Sequence, residues 1–295
     1  MKKTKLLLSI LLAGLLILPA NIFAQDEEPD RRPVREPWSG GLLADQQTIK
    51  SPYQGGLEFI IHHRFGTMQN GLKDLYGIYA PSNIRLGLDY GITEKLMVGY
   101  GTEKNNKFQE FHVKYNIFHQ TRSNSMPVAI SYYGNFAIDA GMNEEDYETF
   151  SFTNRLAYFH QIIVSRKFSD RISVQVAPSF MHFNGVDREW YNDYFGVSAG
   201  ARVKLFGEFS IIAAYDQAFG TTVFDGIFSG EPNEAIENSP KPNIVLGFEI
   251  GTPTHSFQLF AANYDKISPM KNMGFNTNEL MEGEVLVGMN VLVRF

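Results

Sequence analysis

The sequence predicts an all-β protein, a transmembrane antiparallel up-and-down β-barrel of about twelve strands with both termini in the periplasm. Three observations predict this fold. The chain begins with the layout of an export signal, it ends on Phe295 after a strand with one continuous apolar face, and its strand-like stretches are joined by alternately short and long connections. An outer-membrane barrel is expected to show these features together.

Residues 1–24 form the first element, a cleavable secretory signal peptide. Lys2, Lys3 and Lys5 precede an apolar run over residues 6–18, and the segment ends on the small residue Ala24. This order of charge, apolar run and small residue is that of a signal peptide. The apolar run is too short for a spanning helix, which needs about 20 residues.

The composition excludes several classes of protein. With 26 basic and 32 acidic residues the formal charge is −6, which argues against nucleic acid as a partner. The chain has no cysteine, so disulfide scaffolds, thiolate metal sites and a lipoprotein anchor are excluded. Its 24 Phe, 14 Tyr and 26 Gly suit a barrel, in which every second strand residue faces lipid.

Residues 25–52 precede the barrel domain, which we place at residues 53–295. Residues 25–37 are rich in Asp, Glu, Arg and Pro without periodicity, which predicts a disordered periplasmic tail. Residues 38–49 are ambiguous between a short strand, a plug segment and more tail.

Twelve stretches alternate between apolar and polar residues with the period of a strand. They are residues 56–65, 83–91, 95–102, 108–118, 128–138, 152–165, 171–183, 194–205, 208–217, 243–251, 256–264 and 284–295.

The connections between these stretches alternate in length. Short links cover residues 92–94, 119–126, 166–170, 206–207 and 252–255, and the others are longer except residues 103–107. Bacterial barrels have short periplasmic turns and long outer loops. A soluble β-sandwich is the alternative fold, but it gives no reason for short and long connections to alternate.

One face of each strand is apolar and the other is polar, so we expect the apolar face to contact lipid. In the closing strand Val285, Val287, Met289, Val291, Val293 and Phe295 share the apolar face. The predicted lumen-lining residues are Glu58, His62, Arg64, Arg85, Asp89, Glu110, His112, Lys114, Arg155, Arg202, Glu249, Glu284 and Arg294.

Pairing of the last strand with the first would close the barrel. Antiparallel pairing predicts Glu284 beside Arg64 at the outer end and Arg294 beside Glu58 at the periplasmic end. Aromatic residues at strand ends predict two belts at the headgroup level. The periplasmic belt would contain Tyr90, Phe118, Phe168, Phe206 and Phe295, and the outer belt Phe65, Phe108, Phe152, Phe183 and Tyr264.

Small inward residues, including Ser173, Ala177, Ser198 and Gly200, leave volume in the second half of the barrel. That volume is either a narrow solute path or the seat of a plug, formed by a long loop or by residues 38–49. Both alternatives remain open.

The sequence predicts no catalytic, cofactor-binding or metal-binding residues and no enzyme. The outward-facing His63, His160 and His182 have no adjacent outward Ser that could form a nucleophile and base pair. His62 and His112 face inward, but they lie on non-neighbouring strands.

Two motifs carry a resemblance to a known family. They are His63-Arg64-Phe65-Gly66 and residues 84–96, IRLGLDYGITEKL. The chain resembles a family of uncharacterised outer-membrane β-barrels from Bacteroidota, most strongly over residues 56–128. The resemblance implies the barrel fold and outer-membrane placement and no particular activity.

We therefore expect an outer-membrane barrel that is a narrow passive pore or a plugged structural barrel. Arg64, Arg85, Lys114, Glu58, Asp89 and Glu110 would set the field in its lumen. The alternative is a non-conducting surface binding or adhesion barrel that acts through residues 218–242 and 265–283. Expected partners are outer-membrane lipids, lipopolysaccharide and the barrel assembly machinery, which would recognise Phe295; the sequence predicts no oligomeric state.

Overall fold

The structure, a computed structural model, describes residues 28–146, 149–187, 189–220 and 238–295. The predicted signal peptide lies outside the described residues. Arg31–Phe295 forms one compact unit. No helix in the described part of the chain is both long and apolar enough to span a membrane.

Twelve strands form a closed antiparallel barrel in which each strand pairs with its neighbours in sequence and the last pairs with the first. A two-stranded hairpin, β1 (Leu42–Leu43) and β2 (Gln46–Gln47), precedes them. The barrel strands are β3 (Leu57–Thr67), β4 (Asn83–Gly91), β5 (Leu96–Glu103), β6 (Phe108–Phe118), β7 (Ala129–Asp139), β8 (Leu156–Lys167), β9 (Ile172–Phe183), β10 (Asp193–Phe206), β11 (Phe209–Gly220), β12 (Asn243–Gly251), β13 (His255–Ala262) and β14 (Leu286–Arg294).

The predicted strand number and barrel closure are confirmed. Strands β4, β6 and β12 have the predicted bounds. Strand β8 begins four residues later than predicted, because Phe152–Arg155 forms a 3-10 helix that a Ser151–Asn154 capping box starts. Such a box satisfies backbone donors that a strand would otherwise pair.

The short and long connections lie at opposite ends of the barrel, which we call the turn end and the loop end. Both β3 and β14 meet the turn end, where Leu57 and Phe295 exchange backbone hydrogen bonds. Among the described residues, the loop end carries 3-10 helices at Met68–Lys73, Asn105–Lys107, Glu144–Asp146, Phe152–Arg155 and Leu280–Glu282, together with the α-helix α1 (Pro269–Gly274).

Exposure alternates along the strands. In β4 the apolar Leu86 and Leu88 are 41% and 42% exposed, whereas the flanking Arg85 and Asp89 are 5% and 1% exposed. Along this strand the outward side chains are therefore apolar and the inward ones are polar. This arrangement suits a hydrocarbon solvent around the barrel.

The aromatic residues of the turn end are exposed as predicted. Tyr90, Phe118, Phe168, Phe206 and Phe295 have exposed side chains.

The predicted outer belt is wrong at Phe108, Phe183 and Tyr264, which are almost fully buried. Phe108 and Phe183 have the parity of the inward residues of β6 and β9, so they pack inside the barrel. Tyr264 follows the end of β13 and packs against Leu286 and Ala44 in a buried cluster. Side-chain parity decides which side an aromatic ring takes, even at a strand end.

Candidate functional site

A segment of the chain fills the middle of the barrel. Residues 38–49, which contain the β1–β2 hairpin, are buried throughout. The hairpin connects β1 to β2 through Ala44 and Asp45, and Ala44 has a φ of 50°. A left-handed conformation at a non-glycine residue persists only where surrounding contacts hold it. Of the alternatives for residues 38–49, the structure shows a plug segment, because all of these residues are buried inside the barrel.

Two glycines bring the hairpin close to the wall. A Cβ on Gly40 would lie 2.6 Å from Nη2 of Arg294, and a Cβ on Gly41 would lie 2.8 Å from Oε1 of Glu58. Real Cβ atoms do not approach neighbours this closely. The Gly40-Gly41 pair thus lets the hairpin pass the Glu58–Arg294 ion pair near the turn end.

Wall side chains bind the hairpin backbone. Asn290 donates to the carbonyl oxygen of Ala44 at 2.8 Å, and Gln258 donates to that of Leu42 at 2.9 Å. The ammonium group of Lys114 donates to Gln47 Oε1, Thr48 O and Lys50 O at 3.1, 3.0 and 2.7 Å. Buried polar groups need such partners, so these contacts fix the position of the hairpin.

The hairpin tip also binds the wall through its own side chains. The carboxylate of Asp45 pairs with the guanidinium group of Arg64. The Gln46 amide donates to Asp216 Oδ1 at 2.8 Å and to the carbonyl oxygens of Ala199 and Tyr215. Asp45 and Gln46 are site residues that the sequence analysis missed, because residues 38–49 have no periodic pattern. Asp216 was also missed, although it lies in the predicted strand at residues 208–217 with the inward parity of Ser210 and Ala214.

One side of the plug is apolar. Trp38, Leu43 and Ile49 pack in one buried cluster with Ala177 and other inward residues of the wall. The indole Nε1 of Trp38 donates to Ser165 Oγ at 2.8 Å. A Cβ on Gly200 would lie 2.5 Å from both Gln46 and Leu43, so the small inward residues of the second half of the barrel make room for the hairpin.

The wall itself carries buried ion pairs. Arg85 pairs with Glu110 at 2.5 Å, Arg202 with Glu249 at 2.6 Å, and Arg294 with Glu58 at 2.6 Å. Removal of one partner from a buried pair costs about 3–5 kcal/mol, because the other charge is left uncompensated. The neighbouring His112 and Asp89 bond at 2.8 Å.

The loop between β13 and β14 enters the loop end of the lumen. Ser268 donates from its hydroxyl to Glu110 at 2.8 Å and from its backbone to Glu103 at 2.9 Å. Lys271 pairs with Asp139 at 2.5 Å. On α1, Met270 and Met273 belong to the same buried cluster as Trp38. Residues 267–276 of this loop are therefore mostly buried inside the barrel, whereas Leu280 and Met281 in its later part are 40% and 93% exposed. The part of residues 265–283 that is displayed at the surface is this later half.

The loop end is only partly filled. A cavity of about 440 Å³ lies between α1 and the wall, with Lys271 and Phe275 on one side and the inward-facing Phe108, Ala157 and Phe183 on the other.

The ammonium group of Lys50, just after the hairpin, donates to the carbonyl oxygen of Ser39 at 2.6 Å. Burial, together with the positive charge of Arg294, lowers the pKa of Lys50 to about 8. Burial disfavours the charged form of a lysine.

The structure places most of the predicted lumen residues on the inner wall. Those that are buried there are Glu58, His62, Arg64, Arg85, Asp89, Glu110, His112, Lys114, Arg202 and Glu249, and the side chain of Arg294 is also largely buried. Two residues lie elsewhere.

Arg155 and Glu284 are the two predicted lumen residues that do not lie on a barrel strand. Arg155 ends a 3-10 helix and donates to the carbonyl oxygens of Asp139 and Met142 at the loop end. Glu284 precedes β14 and accepts a hydrogen bond from the backbone of Glu279.

Of the two predicted closure pairs, only Arg294 with Glu58 is formed. Gly288, not Glu284, lies opposite Arg64, because the register that pairs Arg294 with Glu58 continues unbroken along both strands to Gly288 and Arg64.

Two of the three outward histidines, His160 and His182, have polar partners of their own. His160 bonds to the Tyr132 hydroxyl at 2.8 Å, and His182 bonds to Asp193 at 2.6 Å and to Asn184 at 2.7 Å. In the described part of the chain, no group of three His, Asp or Glu side chains is placed to hold a metal ion.

Comparisons with known proteins agree with this architecture. Residues 39–295 match the family model described as "Membrane bound beta barrel domain (DUF5777)". The match begins within the plug and runs to the last residue. None of the curated proteins matches the sequence.

Several solved structures are similar to this chain at low sequence identity. An outer membrane channel from Pseudomonas putida F1 is 10% identical with a TM-score of 0.50, and the alignment covers 83% of this chain and 97% of that one. The KdgM porin is 8% identical with a TM-score of 0.41, covering 81% and 98%. A mutant of the Rh. blastica porin is 11% identical with a TM-score of 0.32; the alignment covers 72% of this chain and only 55% of the porin.

Proposed function

Since this chain belongs to the family of membrane-bound β-barrel domains DUF5777, we propose that it is an outer-membrane barrel with a narrow passive pore that its own N-terminal hairpin holds closed. The pore conducts small solutes when residues 38–49 leave the lumen. In this proposal the turn end faces the periplasm.

The observation that carries the proposal is the polar contact between plug and wall. Asp45, Gln47 and the backbone of the hairpin meet Arg64, Lys114, Gln258 and Asn290. Water can replace each of these hydrogen bonds when the hairpin leaves, so the wall would remain solvated and not collapse.

The buried ion pairs of the wall support the same proposal. A barrel that is only structural gains little from such pairs, because well-packed apolar residues are often as stabilising or more so. A wall that contains Arg85, Glu110, Arg202 and Glu249 is suited to contact with water and ions during opening.

Outer-membrane placement, export and lineage belong to the proposal as well. Export rests on the pattern of residues 1–24, and lineage in the Bacteroidota rests on the motifs at residues 63–66 and 84–96. The alternating loop lengths and the aromatic residues of the turn end support placement in an outer membrane.

Single-channel recording of refolded protein in planar bilayers tests the proposal. We expect the wild-type barrel to be closed with rare openings, and a variant that lacks residues 38–49 to conduct steadily. Folding of both proteins is checked by heat-modifiable migration in gels. A correctly folded deletion variant that stays silent would contradict a pore that residues 38–49 hold closed.

A further inference from the structure

A second site lies at the turn end, outside the lumen, between the β6–β7 and β8–β9 turns. A cavity of about 760 Å³ opens there, lined by Arg122 of the first turn and by Arg166, Lys167 and Phe168 around the second. The N-terminal segment forms its edge, because Pro33 pairs with Thr121 and Lys167 donates to the carbonyl oxygen of Arg35.

Arg166 is the unusual residue of this cavity. Its side chain is 7% exposed, and neither its Nε nor its Nη1 has a hydrogen-bond partner among the described residues. Its guanidinium carbon lies 5.0 Å from the centre of the Phe168 ring. The buried Arg64, Arg85 and Arg202 of the barrel each have a carboxylate partner, so Arg166 differs from them.

The charges around the cavity are mostly positive. Arg35, Arg122, Arg166 and Lys167 line it, and the one carboxylate among its described lining residues is Asp170, which lies 3.5 Å from Lys167. The unsatisfied guanidinium nitrogens of Arg166, beside the ammonium group of Lys167, indicate an anionic ligand. Arginine forks match the oxygens of phosphate groups especially well.

The position of Arg166 indicates that the anionic ligand is a lipid headgroup. On β8 the even-numbered residues Ile162 and Val164 are on the outer wall, and Arg166 follows them at the end of the strand. Phe168, which is 51% exposed, belongs to the aromatic residues of the turn end. Aromatic belts lie at the level of lipid headgroups, so the cavity meets the headgroup layer of the adjacent leaflet.

We propose that Arg166, with Arg122 and Lys167, binds the phosphate of an anionic glycerophospholipid at the turn end of the barrel. The lipid tails lie along the apolar outer wall, and the aromatic ring of Phe168 packs beside the headgroup. This site does not depend on whether the lumen conducts.

Lipid binding to the detergent-solubilised full chain tests the proposal by native mass spectrometry. The ligands are phosphatidylglycerol, phosphatidylcholine with the same tails, and inorganic phosphate. We compare wild type with Arg166→Gln and Arg166→Lys, and with Lys95→Gln as a matched control, since Lys95 is an exposed cation in another turn of the same end.

We expect wild type to retain phosphatidylglycerol in preference to phosphatidylcholine. Arg166→Gln should weaken that binding by roughly tenfold or more, as for loss of a charge-assisted contact, and Arg166→Lys by less. Lys95→Gln should bind as wild type does. Inorganic phosphate should compete only weakly, because it lacks the tails.

Three outcomes would overturn the proposal. They are equal retention of both lipids by wild type, equal weakening by Arg166→Gln and Lys95→Gln, and displacement of the lipid by inorganic phosphate at comparable concentration. The last would indicate a soluble phosphate ligand. If Arg166→Gln does not fold, the double variant Arg122→Gln/Lys167→Gln gives the same test from residues at the turns.

Discussion

The carboxylate of Asp45, at the tip of the N-terminal hairpin, lies against the guanidinium group of Arg64 in the barrel wall, with 2.5 Å between Oδ2 and Nη2. Both side chains are almost fully buried. Arg64 also donates to Asn290, which in turn donates to the hairpin backbone at Ala44. The plug and the wall thus share one hydrogen-bonded network at the centre of the lumen.

Asp45→Asn should loosen the plug. In the closed state the substitution leaves Arg64 without its counter-charge, which costs about 3–5 kcal/mol. In the open state water surrounds Arg64, so this cost is absent. We therefore expect more frequent openings in single-channel recordings. Glu94→Gln, a carboxylate change in an exposed turn, is the control and should leave the opening frequency unchanged. Equal opening frequencies for Asp45→Asn and wild type would argue against a plug held by this pair.

Gly41→Ala should also unseat the hairpin, for a steric reason. The added methyl group would lie 2.8 Å from Glu58 Oε1, whose side chain is held by Arg294. We expect greater accessibility of residues 38–49 to added protease, with the barrel still folded. Protease resistance equal to that of wild type would mean that the wall adjusts and that the close approach is unimportant.

The Glu58–Arg294 pair joins the first and last barrel strands, where the two residues are directly opposite. Glu58→Gln should lower the temperature at which the folded barrel loses its fast migration in unheated gels. The exchanged double variant Glu58→Arg/Arg294→Glu should recover part of the loss, because the pair is restored with opposite polarity. The two charges are not coupled if the double variant lowers this temperature by as much as Glu58→Arg and Arg294→Glu do when their separate effects are added.

Lys50 should make stability depend on pH. Its pKa in the folded protein is about 8, against 10.5 for an unperturbed lysine. Between these values the unfolded chain binds the proton and the folded chain does not, so the free energy of unfolding should rise with pH by up to about 3 kcal/mol. Lys50→Met removes this contribution.

Urea unfolding in detergent at about pH 7.5, 9 and 10.5 measures the difference between wild type and Lys50→Met. Other groups titrate in this range, and the difference between the two proteins isolates Lys50. The stability of wild type should increase relative to the variant as pH rises. Parallel pH profiles would show that the lysine is not buried as described.

Strand period and loop parity were enough to predict the twelve strands, the closed barrel and the inward placement of residues such as Glu58 and Arg85. These features follow from local alternation, which the lipid solvent imposes on each strand independently. The seam pair Arg294–Glu58 could be predicted because both residues lie at the same end of adjacent strands.

The plug and the lumen partners could not be predicted in the same way. Residues 38–49 have no period, and their structure depends on a cavity that distant residues such as Ala177 and Gly200 create. Phe108 and Phe183 were assigned by their position at strand ends, although their parity places them inside. Arg64 has the hairpin residue Asp45 as its partner, and no spacing in the sequence connects the two.

A disulfide that locks the hairpin tests the central claim most directly. The hydroxyl oxygens of Ser39, on the hairpin segment, and Ser256, on β13, are 3.3 Å apart, and the natural chain has no cysteine. Oxidation should abolish the conductance of the double variant Ser39→Cys/Ser256→Cys, and reduction should restore its rare openings. The single variant Ser39→Cys is the control, and neither treatment should change its conductance. Openings of equal frequency in the oxidised and reduced double variant would contradict the claim that this hairpin closes the pore.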